Sequence, residues 1–273
     1  MTDTIISEIE NKVVTVTFNR PDQHNAIDYD GWIELTRVVK EISLNDNIRV
    51  AIFKGAGSKS FSAGADIKDF EVHRYDSASS KIYSDAFDGA LDAIEALPIP
   101  TVSMIRGICV GGGCELSMAT DIRIASEESK FGIPVAKLGI LVGYREMKRL
   151  INLVGVGNAS YILLSGKIID SKEALDMGLI TRLVDKKVLE ETVNKLALEM
   201  ADLAPLSQSN HKKILQKVVE NQSLRGFDTQ ELDLPFINFD SDDFQEGRKA
   251  FVERRAPNFS GKCLSLIHIS EPT

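Results

Sequence analysis

Three consecutive glycines, Gly111-Gly112-Gly113, constrain this chain more than any other stretch. They follow a β-rich run ending at Ile105 and lead into residues 114–119, a helix-compatible run with Glu115 at its second position. Inside a helix each glycine costs about 1 kcal/mol relative to alanine. Three together therefore imply a ligand pressed onto bare backbone, or two elements packed too closely for side chains. Free N–H groups at a helix start also present positive dipole to an anion or a developing oxyanion. Glu115, in the first turn, is within reach of whatever those groups hold. A tight strand-to-helix turn, with Glu115 only complementing the dipole, fits the same residues. The glycine run alone leaves both readings open.

Composition narrows the class. A chain of 273 residues, 43% hydrophobic and 26% charged, has ample core for one or two globular domains. A net charge of −8 argues against nucleic acid or an anionic membrane as the main partner. There is no run of 18 apolar residues and no apolar leader after Met1, so neither a membrane span nor a signal peptide is expected. Cys109, Cys114 and Cys263 are odd in number and lack metal spacing, which fits reduced thiols in a cytoplasmic protein. Cys114 reads as a small buried thiol rather than a nucleophile. No metal is expected, because His24, His73 and His211 share no ligand spacing with acids or thiols.

Along the chain, residues 5–10 and 13–18 alternate around Asn11-Lys12 and predict a hairpin. Residues 20–26 read as a loop, in which His24 is a contact or surface residue. From Asp28, the positions Trp32, Leu35, Val38, Val39 and Ile42 keep helical spacing. Residues 48–54 form a β-rich run closed by Gly55 and Gly57. Phe61-Ser62-Ala63-Gly64-Ala65-Asp66-Ile67 is the second informative stretch: small residues again leave backbone N–H groups accessible, or make a plain turn capped by Asp66. Residues 79–97 are amphipathic and stop at Pro98 and Pro100, and residues 101–105 and 121–125 read as strands. The recurrence of strand, helix and strand predicts an α/β layered core.

A helix then opens at Tyr144-Arg145-Glu146 and another runs from Gly155, followed by a short one over 171–176, capped by Ser171 and stopped by Gly178, and a strand over 180–184. Beyond residue 188 the periodicity is helical only, with one helix ended near Pro205 and a capping box at Asp242 and Gln245. Such an apolar helical end suits packing or oligomerisation. Residues 264–273 resemble the translated read-through of a sequencing adapter and are set aside, His268 with them.

With both glycine stretches in view, the chain resembles the crotonase family, the enoyl-CoA hydratase/isomerase superfamily. Phe-Ser-Ala-Gly-Ala-Asp-Ile, Gly-Gly-Gly-Cys-Glu-Leu, Asp-Ile-Arg-Ile-Ala and Ala-Phe-Val-Glu-Arg-Arg-Ala-Pro-Asn-Phe occur in the family's order. The resemblance implies an α/β fold: a crotonase-like spiral of ββα units over residues 1–200 and a C-terminal helical trimerisation region over 201–261, which leaves residues 262–273 as the non-native tail. It implies an acyl-CoA thioester substrate, with coenzyme A as part of that substrate and no separate cofactor, and self-association as a trimer or a dimer of trimers.

The resemblance also implies a site. Two backbone N–H groups, assigned by position to Ala63 and Gly112, bind the thioester oxygen. Enolate charge builds on that oxygen in the transition state, where one fixed donor contributes about a hundred- to thousandfold in rate. The CoA moiety falls near Ala26, Gly64, Ala65, Asp66 and Ile67, with Arg20 and Lys59 as phosphate partners and Phe251 and Arg254 brought in by the last helix. Glu115 matches the first catalytic glutamate of the family's hydratases. The second aligns with Val135, which cannot move a proton, so Glu115 must act alone or be helped by a neighbour. Val135, Leu141 and Tyr144 are expected in the acyl pocket; any of Tyr144, Arg145 and Glu146 could project into it, and the favoured reading has Tyr144 shaping the pocket with Arg145 and Glu146 facing solvent. Hydration of a 2-enoyl-CoA is the reading expected. Decarboxylation of a 2-carboxyacyl-CoA, isomerisation, and non-catalytic acyl-CoA binding are the alternatives.

Overall fold

The computed structural model describes residues 4–221 and 223–262. The assignment of the final segment as a non-native tail falls, from Cys263 on, outside the described residues.

Among the described residues, ten strands form two sheets. The larger has the order β1 (Ile5–Glu10), β2 (Val13–Phe18), β3 (Val50–Gly55), β5 (Thr101–Ile105), β7 (Ile122–Ser126) and β10 (Arg182–Val184). The smaller has the order β4 (Ser60–Ser62), β6 (Ile108–Val110), β8 (Lys130–Gly132) and β9 (Ile169–Asp170). Only the β1–β2 hairpin and the β8–β9 pair are antiparallel. Among the helices are α1 (Tyr29–Ser43), α2 (Phe70–His73), α3 (Ser77–Glu95), α4 (Gly112–Met118), α5 (Tyr144–Ser165), α6 (Ser171–Asp176), α7 (Leu189–Ala201), α8 (Pro205–Glu220), α9 (Thr229–Asp233) and α10 (Asp242–Glu253).

The order of these elements is itself the spiral. β3 and β4, β5 and β6, and β7 and β8 each place one strand in the large sheet and the next in the small one, and helices follow each pair. The central strands of the large sheet are largely buried on both faces, β5 over its whole length and β3 through Phe53. The small sheet escapes sequence reading because its strands are two or three residues long, too short to show a period of two.

The chain clusters into two compact units, one built from residues up to Leu97 together with Thr101–Leu198, the other from Pro98–Pro100 and the chain from Glu199 on. In the first unit, α1 is capped by Asp28, whose side chain accepts from Gly31 N–H at 2.9 Å, and buries Trp32 completely. The indole N–H of Trp32 donates to the Tyr83 hydroxyl at 2.9 Å, and its ring meets Phe87 edge-on at 4.8 Å between centroids. Tyr83 and Phe87 belong to α3, so this contact sets the face of α3 that looks toward the glycine turn. The second unit is helical, and Leu215, Phe236 and Phe239 are among its exposed apolar side chains.

Three local expectations change. Asp170, not Ser171, caps α6, because its carboxylate reaches the N–H groups of Lys172 and Glu173 while the Ser171 hydroxyl donates to the Glu127 carbonyl. Ser241, not Asp242, caps α10, accepting from Phe244 N–H at 3.1 Å. Pro205 opens α8 rather than merely ending α7, since a proline at the first helical position gives up an N–H that has no intrahelical partner. Among the described residues, no helix is long and apolar enough to cross a membrane.

Candidate active site

Close packing is what the glycines serve. A Cβ on Gly113 would lie 2.3 Å from the Ser62 carbonyl oxygen, and one on Gly64 would lie 2.5 Å from the Gly112 nitrogen, with Gly64 also at φ +88°. The loop after β4 and the start of α4 therefore touch backbone to backbone. Gly112 is the first residue of α4, and its N–H has no intrahelical acceptor.

The other N–H group at this junction is that of Ala65. Ile27 pairs with Ala65 as a single parallel bridge: Ile27 N–H donates to the Gly64 carbonyl at 2.8 Å, and Asp66 N–H donates to the Ile27 carbonyl at 2.9 Å. In that arrangement the N–H of Ala65 itself turns to the opposite side, where it meets no acceptor among the described residues. A Cβ built on Gly112 would sit 3.3 Å from the Ala65 nitrogen. Ala65 and Gly112 thus offer two adjacent unpaired donors. Ala63, assigned that role from sequence, does not: its N–H donates to the His24 carbonyl at 2.9 Å. The displacement by two residues has a simple cause: the N–H groups of Ala63, Gly64 and Asp66 are taken by the His24 carbonyl, the Ser62 hydroxyl and the Ile27 carbonyl, which leaves that of Ala65.

Both donors line a cavity of about 290 Å³ formed wholly by the first unit. Glu115 also lines it, 6% exposed. Burial, and then the charges of Glu146 and Asp88, push the Glu115 carboxyl up to about 8, so that it holds a proton at neutral pH. Asp88, on α3, is pushed up to about 7 by burial and by its carboxyl contact with Glu146. Arg74 is the one cation in the lining, its guanidinium held over the rings of Phe70 and Tyr83 at 5.0 and 5.2 Å. Among the described residues, no group of three or more His, Cys, Asp or Glu residues is gathered so as to hold a metal ion.

The comparisons with known proteins agree with this architecture. The enoyl-CoA hydratase/isomerase family model matches residues 8–262. The chain belongs to the enoyl-CoA hydratase/isomerase family. It is 32% identical over 253 residues to the short-chain-enoyl-CoA hydratase of Clostridium acetobutylicum, covering 92% of this chain and 95% of that one. It is 32% identical over 266 residues to the crotonyl-CoA hydratase of Syntrophomonas wolfei, covering 95% and 99%. The crystal structure of an enoyl-CoA hydratase/carnithine racemase from Magnetospirillum magneticum superposes with a TM-score of 0.92 at 34% identity, covering 96% of this chain and 97% of that one.

Within this member of the enoyl-CoA hydratase/isomerase family, the remaining expected residues divide. Ile67, Val135 and Leu141 line the cavity, Leu141 from an 88% exposed position at its mouth. Tyr144 does not line it: as the first residue of α5 it projects outward and is 97% exposed. Glu146, two positions on, was expected to face solvent but is 3% exposed and lines the cavity. Arg20 is engaged within the loop, its guanidinium donating to the Ala26 carbonyl at 3.0 Å and to Asp66 at 2.9 Å, with Asp28 at 3.3 Å. Two carboxylates already neutralise it, so it braces the loop and is not a phosphate partner. Asp66 also accepts from Lys68 N–H at 3.1 Å, the capping role open to it from sequence.

Lys59 is exposed, with no side-chain hydrogen bond or ion pair among the described residues, and Ala26 is buried in the loop that Arg20 braces. Phe251 and Arg254 belong to the second unit, Phe251 exposed on α10 and Arg254 its left-handed C-cap at φ 54°. His24 is a structural contact, its ring paired with the Ser60 hydroxyl at 2.7 Å. Cys109 and Cys114 are buried, and burial pushes the Cys109 thiol up, which suits inert packing. Asp88 and Arg74 were not singled out as site residues, and Glu146 was open to projecting into the pocket. Helical spacing does place Asp88 one position after the half-buried Phe87, but nothing local says that this edge of α3 is roofed by another segment.

Proposed function

We propose that this chain adds water across the 2,3 double bond of a 2-enoyl-CoA thioester. The observation that carries the reading is the sharing of one cavity by a protonated, buried Glu115 and the adjacent free N–H groups of Ala65 and Gly112. The thioester oxygen accepts from both N–H groups. Addition of water at C3 builds negative charge on that oxygen, where preorganised donors are worth most. The Glu115 carboxyl then protonates C2. A raised pKa is what this step needs, because a carboxyl of ordinary acidity would already be ionised at neutral pH.

Decarboxylation is disfavoured by the lining. A 2-carboxyacyl-CoA would bring a carboxylate beside the three acids Glu115, Asp88 and Glu146, with Arg74 the one cation in the lining. The CoA moiety lies along Ala26, Gly64, Ala65, Asp66 and Ile67, with Lys59 at its phosphates. The core ends near residue 200, and the helices of residues 201–261 join copies into a trimer or a dimer of trimers in the cytoplasm. The exposed apolar side chains of those helices support this part of the reading.

The test is a panel of 2-enoyl-CoA esters of increasing chain length, crotonyl-CoA first, followed by loss of enoyl absorbance and by mass spectrometry. The expected product is one water heavier, and Glu115→Gln abolishes its formation while ester binding survives. Turnover of no ester in the panel, or full activity in Glu115→Gln, overturns the reading.

A further inference from the structure

Val135 leaves the cavity without the second acid of the two-glutamate hydratases, yet the cavity does not lack one. The same segment that carries Val135 past the site, from β8 into α5, delivers Glu146 to the same wall. We propose that Glu146, braced by Asp88, is the general base that activates water in this chain, with Glu115 as the acid that protonates C2. This rests on the hydratase reading.

Three observations converge. First, the Glu146 side chain folds back over the helix N-terminus toward the cavity. A Cβ on Gly143 would lie 2.5 Å from Glu146 Oε2, so the glycine before α5 makes room for the carboxylate. Second, Glu146 is not required as a counter-ion. Arg149, the nearest cation on α5, donates from Nε and Nη2 to Glu95 at 3.0 and 2.7 Å and to Asp92 at 2.5 Å; its approach to Glu146, at 3.4 Å, is the longest of these. Third, Asp88 projects from α3 into the same cavity, in carboxyl contact with Glu146. Half-buried Asp88 is pushed up to about 7 by burial and then by this contact, so it still carries a proton near neutrality. In that form Asp88 donates to Glu146 and positions it. Facing groups from the other elements are Glu115 on α4, Arg74 after α2, and Arg145 and Arg149 on α5.

The step balances. Water's oxygen bonds to C3 as its proton passes to the Glu146 carboxylate, and the C2–C3 π pair moves onto the thioester as an enolate. The enolate collapses, and C2 takes the proton of Glu115. Exchange with solvent returns a proton to Glu115 and removes one from Glu146 before the next turnover.

Wild type, Glu115→Gln and Glu146→Gln are assayed in two reactions: hydration of crotonyl-CoA, and exchange of the C2 protons of butyryl-CoA in deuterium oxide. Exchange needs the N–H pair and Glu115, here as the base in its ionised form, but no activated water; it is therefore run above about pH 8. Glu146→Gln is expected to lower kcat for hydration about 10²- to 10³-fold with KM little changed, while keeping exchange and the melting temperature of a folded protein. Placing a carboxylate back in the same wall, Val135→Glu combined with Glu146→Gln, is expected to restore part of the hydration rate, which no purely structural role of Glu146 would allow. If Glu146→Gln fails to fold, Glu146→Asp keeps the charge but shortens its reach, and is expected to lose at least about tenfold in kcat. Near-wild-type hydration by Glu146→Gln or, in that case, by Glu146→Asp overturns the proposal; so does parallel loss of hydration and exchange in a folded Glu146→Gln. A wild-type enzyme that exchanges but hydrates nothing overturns the hydratase reading itself.

Discussion

Replacing Glu115 by glutamine should make the protein more stable while removing its activity, and the gain should depend on pH in a defined way. Burial lifts the folded-state pKa of Glu115 from an ordinary 4.5 to about 8. Below the lower value the carboxyl is protonated in both folded and unfolded chains, and it contributes no penalty. Between the two values the unfolded chain ionises and the folded chain does not, so folding becomes less favourable as pH rises. Above the upper value the penalty is constant. Each tenfold in proton affinity is about 1.4 kcal/mol, so the gap from 4.5 to about 8 corresponds to an upper bound of about 5 kcal/mol at alkaline pH and about 3 kcal/mol at pH 7. Glutamine keeps the shape, cannot ionise, and escapes the penalty. Glu146 and Asp88 remain beside it, so part of the local repulsion persists. For a domain of this size 1 kcal/mol moves the melting temperature by about 2–4 °C. Paired thermal melts from about pH 4 to about pH 9 should show the variant level with wild type at the acid end and progressively ahead toward the alkaline end. A difference that stays flat across that range would refute the argument, because it would mean that the Glu115 carboxyl is not held protonated by its surroundings.

Other perturbations separate the backbone from the acids. Gly64→Ala brings a methyl to 2.5 Å from the Gly112 nitrogen at a φ of +88°; it should remove one donor from the site and cut kcat about 10²- to 10³-fold, measured on crotonyl-CoA. Asn25→Ala strips the Ala56 and Ser60 carbonyls of their donor, at 3.0 and 2.8 Å, from a residue 1% exposed; a loss of about 1–3 kcal/mol is expected in chemical denaturation. Tyr144→Ala should change stability by less than about 0.5 kcal/mol and leave turnover intact, since the side chain is 97% exposed and outside the cavity.

Much of this molecule is written locally. The hairpin of β1 and β2 follows from alternation, α1 from Asp28 and the spacing of Trp32, Leu35, Val38 and Ile42, and the α4 turn from three adjacent glycines followed by an acid. The family is legible for the same reason: its motifs are contiguous stretches of residues that need bare backbone or a cap at fixed offsets. Of the candidate site, Glu115 and Gly112 were legible because both belong to that one turn.

What the sequence could not decide were choices made between segments far apart in the chain. Whether Ala63 or Ala65 has a free N–H depends on which of them residues 24–27 engage, and that register exists only once the two loops pair. Arg20 looks like a phosphate partner until Asp66, 46 positions away, takes its guanidinium. Tyr144 and Glu146 sit on one short stretch with opposite fates, because α3 covers one side of α5's first turn and, among the described residues, nothing covers the other; Asp88 and Glu146 meet only through that packing. Local chemistry determined the elements and one acid. Tertiary packing decided which donors stay free and which carboxyls are buried together, because hydrogen-bond competition and desolvation act on whatever the folded chain brings within a few ångströms.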